Sequence, residues 1–277
     1  MRSLPEWQTK IIDILQHGTG MISGAVYDLE ETHMTTEEIY KNLEAITVGI
    51  DDTFKFHCTQ CGKCCINRTD IMLSPMDIFR MTKELQISPS DFFAMYCRME
   101  IGIDSRMPIV MLRPVGKDYR CPLLQNNKCS VHKVKPAVCG MFPLGRYVSI
   151  DPEKYSKGEI ETSEVKYLLQ PPECGDESET HTVREWLGDF DIALEDEAYV
   201  RWNQVMGDLS LRLQELQKKW DMMTMMDIWF VVHVILFENY EHDMDFMPQF
   251  EFNVTGLKSL LMDIPKLKEM VNRGRRA

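Results

Sequence analysis

The chain has 277 residues, 44% of them apolar, enough for one large domain or two small ones, so metal is not needed to make up for a tiny core. Its formal charge of −12 repels phosphate backbones and argues against nucleic acid as a partner. No apolar run reaches the ~20 residues of a membrane crossing, and Met1-Arg2-Ser3-Leu4-Pro5 does not open like a secretory leader, so a cytoplasmic protein with nine reduced cysteines is expected.

Residues 1–52 read as a helical segment. Trp7, Ile11, Ile12 and Leu15 recur at helical spacing, and Thr35 with Glu38 makes a capping box ahead of Ile39, Leu43 and Ile46. His17-Gly18-Thr19-Gly20 between them reads as a loop, because a lone Gly-x-Gly with no preceding strand is weak grounds for a nucleotide site.

Residues 53–190 carry the cysteines. Ile71–Leu73 is short and apolar. Ser74-Pro75 opens a helix expected to bury Met76, Ile78, Phe79 and Leu85, and Ser88-Pro89-Ser90 opens another with Phe92, Phe93, Tyr96 and Cys97. Ile109–Leu112, Arg146–Ile150 and Val165–Leu169 read as strands, and Thr182 with Glu185 makes a capping box before Trp186. Residues 191–277 read as helical again. Tyr199, Trp202, Val205, Met206, Leu209, Leu213, Leu216 and Trp220 trace one apolar stripe, and Ile228–Phe237 reads as a buried helix. Met222, Met223, Met225 and Met226 read as core filling before a soft-metal site, Glu241–Asp245 as a solvated loop before a hard-metal site, and the basic run from Lys266 to Arg276 as a solvated helix end. The fold expected is α+β: a small irregular cysteine-rich metal-binding core with short strands, flanked by N- and C-terminal helices.

Eight of the nine cysteines form one constellation. Cys58, Cys61, Cys64 and Cys65 fall within eight residues; Cys121, Cys129 and Cys139 follow; Cys174 stands alone. Thiolates at two-residue gaps, with Gly62 letting the backbone curl, suit a soft metal ion or an iron–sulfur cluster. Successive side chains in extended backbone diverge, so Cys64 and Cys65 are expected to reach two centres, or two metals of one cluster. Pro122, Pro136, Pro143 and the Pro171-Pro172 pair stiffen the later loops. Cys97 reads as a buried thiol on a helical face. His57 and His132 read as neighbours of the ligands or replacements for a sulfur, and Lys63, Lys133 and Arg146 as cations that offset the thiolates.

The run Phe56-x-Cys58-x₂-Cys61-Gly62-x-Cys64-Cys65, then Leu73-x₃-Asp77-Ile78-x-Arg80, resembles the signature of the CxxCxxCC cysteine-cluster family. Cys121-Pro122-Leu123-Leu124, Cys129-x₂-His132, Pro136-x₂-Cys139, Phe142-Pro143 and Cys174-Gly175 follow the same order, so the resemblance covers roughly residues 54–190. Three positions depart from the family pattern: an aromatic usually stands at His132, Arg at Lys135 and a basic residue at Gly140. The resemblance implies zinc or iron chelation. The family includes a flagellin lysine N-methylase, so it also implies methyl transfer from S-adenosylmethionine. The residues do not independently support that activity: no Gly-rich strand–turn–helix is found, and Cys61-x₃-Cys65 is followed by Arg68 where a radical S-adenosylmethionine enzyme needs a third cysteine. The sequence reading is a cysteine-ligated metal protein holding an iron–sulfur cluster or zinc. A metalloenzyme, a zinc-stabilised binding module and a metal carrier stay open as its role, with a protein or small-molecule substrate undefined.

Overall fold

A computed structural model describes residues 44–148, 161–170 and 172–274. The helical stripe at Trp7–Leu15, the Gly18 loop and the Thr35 capping box lie outside the described residues. Thr47–Val48, at the end of the expected helical segment, is a strand instead.

The fold is mixed α+β, with small sheets of short strands and the cysteine-rich domain in the middle of the chain. The chain divides into two compact units. The described part of the first is Leu73–Val110 with 205–274; that of the second is 44–72, 111–148, 161–170 and 172–204. In chain order the strands are β1 (Thr47–Val48), β2 (Thr53–His57), β3 (Cys97–Ile101), β4 (Pro108–Leu112), β5 (Leu124–Gln125), β6 (Lys128–Cys129), β7 (Leu144–Val148), β8 (Val165–Leu169) and β9 (Asp176–Thr182). The helices are α1 (Pro75–Leu85), α2 (Pro89–Tyr96), α3 (Ala137–Met141), α4 (Val183–Asp189), α5 (Glu197–Gln217), α6 (Met222–His233), α7 (Phe246–Met262) and α8 (Ile264–Gly274). No described helix is long and apolar enough to cross a membrane.

The first unit is built on helices whose ends are coded locally. Ser74 caps α1 in a capping box with Asp77, with Pro75 in the first turn. Ser88 caps α2 through the Asp91 N–H, with Pro89 in its first turn. α1 buries Ile78, Phe79 and Met81, while Met76 and Leu85 are only half-buried. Cys97 ends α2 and begins β3, so its thiol is buried as expected but on a strand. Val205, Leu209, Leu213 and Leu216 of α5 form the expected buried stripe. α6 runs into a π turn at Val234–Glu238. The wider turn lets His233 meet Glu238 five residues on, Nε2 to Oε1 at 2.7 Å, inside the core.

In the second unit β8 pairs antiparallel with β1 on one side and β7 on the other. β2 alternates cleanly: Phe54 and Phe56 point into the core, Thr53 and Lys55 outward. It pairs antiparallel with the polar strand β9. Phe56 meets Phe142 and Trp186 edge-on, at 5.8 and 5.5 Å between ring centres, and the Trp186 indole N–H donates to the Met141 carbonyl at 3.0 Å. This cluster ties β2, α3 and α4 together beneath the cysteine loops. Thr182 caps α4 in a capping box with Glu185, as the spacing predicts. Thr182→Ala is expected to cost about 1 kcal/mol in urea unfolding, with little change for Thr182→Ser.

Candidate metal centre

The first four cysteines leave the end of β2. There the register joins His57 to Asp176, after an irregularity between Lys55 and His57. Gly175 has φ +76°, and a Cβ on it would stand 2.5 Å from the His57 carbonyl oxygen and 2.6 Å from the Phe56 ring. One ladder therefore brings Cys58 and Cys174 to the same end, through a contact only glycine permits. Gly62, at φ +73°, starts a single 3-10 turn over Lys63–Cys65, closed by the Cys65 N–H on the Gly62 carbonyl at 2.9 Å. The expectation that Cys64 and Cys65 diverge rested on extended backbone. This turn weakens that expectation by removing its premise.

The second group comes back onto this turn. The Cys121 N–H donates to the Cys65 carbonyl at 2.8 Å, and those of Asn67 and Arg68 donate to the Asp118 and Tyr119 carbonyls. Cys121 is thereby held alongside Cys65. β5 and β6 form a hairpin turning at Asn126 and Asn127, both with positive φ (50° and 60°), which sets Cys129 opposite Leu124. The Asn127 carbonyl lies 3.4 Å from where a Cβ on Gly62 would stand, so the hairpin tip rests against the first loop. Cys139 lies in α3, whose first turn closes on the Pro136 carbonyl and whose end is held by Trp186.

The thiols act on one another electrostatically. The Cys65 hydrogen bond takes Cys64 down to about 6, against burial, helped by the charges of Lys135 and Arg68. Cys65 moves strongly the other way, through the same bond, burial, and the thiolates of Cys64, Cys121 and Cys139. Burial is the main cause raising Cys121, Cys129 and Cys139, with other cysteines adding to each. Burial likewise raises Cys174 to about 11, followed by Cys64, Cys61 and Cys58. Cys61 is lowered, first by the Lys63 backbone N–H. Cys64 acts on Cys61, Cys65, Cys121, Cys129, Cys139 and Cys174 alike. Among the described residues no three His, Cys, Asp or Glu side chains close to ion-holding geometry. The eight sulfurs are not gathered into one shell. As a donor set they fit a soft metal: thiolates, mostly half-buried, with two cations beside them.

Residues 57–174 match a family model, CxxCxxCC, described as "Putative zinc- or iron-chelating domain". The match is confined to this segment. It spans less than half of the 277-residue chain. No curated protein and no solved structure is found to match the chain.

The matched segment uses some neighbouring residues differently from expectation. The cations that act on the thiols are Arg68 and Lys135. Arg146 instead pairs with Asp196 at 2.7 Å and stacks on Tyr199 at 3.7 Å, while Lys63 serves Cys61 through its backbone. Arg68 was legible only as the residue that breaks the radical-enzyme spacing. Lys135 was legible as the departure from Arg-Pro, and its ammonium lies 5.0 Å over the Phe190 ring. The other two departures lie beside Phe190. His132 presents its ring to Phe190, 6.4 Å between centres, as an aromatic would. Gly140 is buried, and a Cβ there would come into ordinary contact with Phe190 and Ile192 at 3.4 Å. His57 faces Asp176, with Nδ1 at 3.3 Å from Oδ1.

The unequal thiols predict unequal chemistry. In metal-free protein, iodoacetamide at pH 7 should label Cys64 well before Cys139 or Cys174, since only the thiolate attacks. Cys64 sits below its ordinary 9.0, so the stability it adds is complete above pH 9 and lost as pH falls towards 6. Lys135→Ala should move Cys64 labelling to higher pH and weaken metal binding by about 10–100-fold. Mass spectrometry of labelled peptides reads both.

Proposed function

We propose that the CxxCxxCC domain of this chain holds an iron–sulfur centre on thiolates drawn from Cys58, Cys61, Cys64, Cys65, Cys121, Cys129, Cys139 and Cys174. The observation that supports this reading is the return of the later cysteines onto the first loop: the Cys121 N–H donates to the Cys65 carbonyl at 2.8 Å, and the β2–β9 ladder brings Cys58 and Cys174 to one end. An all-sulfur donor set with adjacent cysteines suits iron–sulfur ligation better than an isolated four-ligand zinc knuckle. Bound there, such a centre would supply one-electron transfer. The chain's own part is to hold and neutralise it. Cys64 ionises first and offers the initial thiolate. Lys135 and Arg68 offset the accumulating negative charge, and the Phe56–Trp186–Phe142 cluster fixes the strand and helix from which ligands project. The reading requires a reducing compartment, with which nine free thiols accord.

The test is anaerobic purification of the full chain with an absorption spectrum and analysis for iron, zinc and acid-labile sulfide. Brown protein with broad visible absorption, iron and sulfide supports the reading. Colourless protein holding zinc contradicts it and leaves the structural-zinc role, because zinc has a filled d shell and no such absorption.

A further inference from the structure

Away from the cysteines, the helical first unit carries a cleft of about 560 Å³ lined by Trp220, Pro265, Lys268, Glu269, Asn272 and Arg273. Five of these recur along one side of α8, while Ile264, Leu267, Met270 and Val271 on its other side are buried. Trp220 supplies the apolar wall. The Lys268 ammonium sits 5.7 Å above its indole ring and donates to Thr224 Oγ1 at 3.0 Å, which ties α8 to the start of α6. At that same start Met222 and Met223 are 61% and 68% exposed, and Met226, one turn on, is exposed with them. The spacing expected these methionines to fill the core, but only Met225 does.

An apolar patch bordering a cleft with cations is built like the centre and rim of an interface. The charges choose the partner. Lys266, Lys268 and Arg273 lie on α8, and the sequence continues with Arg275 and Arg276, all in a chain of net charge −12. Among the described residues Arg273 is held by an exposed pair with Glu269 at 2.5 Å, which is worth little and easily exchanged for another carboxylate. Asp221 caps α6 and lies near Lys268, yet Lys218, Lys219, Lys266, Lys268 and Arg273 outnumber Asp221 and Glu269 around Trp220, so the patch suits an anion.

We propose that the Trp220–Lys268 cleft and the adjoining face of Met222, Met223 and Met226 dock an acidic peptide segment of a partner protein. An apolar anchor of that segment lies on Trp220 and the thioethers, and its carboxylates meet Lys268 and Arg273. The inference is independent of the metal.

The experiment uses the full chain and a fluorescein-labelled synthetic peptide of Glu residues with Leu and Phe at helical spacing, read by anisotropy. A peptide with Lys in place of every Glu is the control. Because the chain as a whole repels acids, binding of the acidic peptide must come through a local cationic site. Acidic peptide should bind and Lys peptide should not, and salt should weaken binding. Lys268→Glu should weaken it at least about tenfold, and Glu269→Gln should tighten it. Trp220→Ala should abolish binding while far-ultraviolet circular dichroism stays unchanged; if that variant unfolds, the surface changes Lys268→Glu and Glu269→Gln decide alone. Preference for the Lys peptide, acidic binding indifferent to Lys268→Glu, or no binding at all would overturn the proposal. Closure of the cleft by a second copy, seen as self-association in sedimentation that Lys268→Glu abolishes, would overturn it too.

Discussion

Cys64→Ser and Cys139→Ser should each strip most of the metal from the protein, while Cys97→Ser should leave metal content unchanged. Cys64 is the thiol that ionises most readily, so its loss removes the first ligand. Cys139 is held from the far side by Pro136 and α3. A hydroxyl in either place is a hard, protonated donor at neutral pH and a poor replacement for thiolate, so a loss of at least about tenfold in affinity is expected. Cys97 belongs to the other unit, at the α2–β3 junction. A serine hydroxyl there costs about 1–3 kcal/mol of stability from its buried surroundings but takes no ligand away. Metal analysis of the three variants, purified side by side without oxygen, checks the set. Equal loss from all three would show the ligands to be wrongly drawn.

Gly175→Ala should be nearly as damaging although it removes no sulfur. The position has φ +76°, which strains any residue with a Cβ, and that Cβ would stand 2.5 Å from the His57 carbonyl oxygen and 2.6 Å from the Phe56 ring. Backbone cannot yield there without opening the β2–β9 ladder, and Phe56 is wedged against Phe142 and Trp186. Strain and overpacking together should cost about 2–5 kcal/mol. The same shift moves Cys174 away from Cys58 and Cys61, so metal content should fall with stability. Denaturation of the metal-free variant separates the two effects: the stability loss must persist without metal.

What was legible in the sequence is what neighbours in the chain decide. Ser74-Pro75, Ser88-Pro89 and Thr182 with Glu185 announce helix starts because a cap needs only residues within one turn, and all three caps form. Val165–Leu169 and Ile109–Leu112 show their strand character through branched and apolar runs, and both lie in strands. The strand β9 was not legible. Asp176-Glu177-Ser178-Glu179 has no alternation and exposes its side chains; it is a strand because Phe54 and Phe56 hold β2 in the core and β2 needs a partner. The turn at Cys64-Cys65 was hidden for a related reason, since it depends on Gly62 resting against a hairpin more than sixty residues later. The cysteines themselves were plain, but the cations beside them were not: Arg68 and Lys135 reach the thiols only once the loops return.

Iron K-edge X-ray absorption on anaerobically purified full-length protein tests the central claim most directly. A first shell of sulfur alone is expected, with a second iron at short distance, as in a cluster bridged by sulfide. A shell of nitrogen or oxygen donors, or a folded protein whose only metal is zinc, would contradict it.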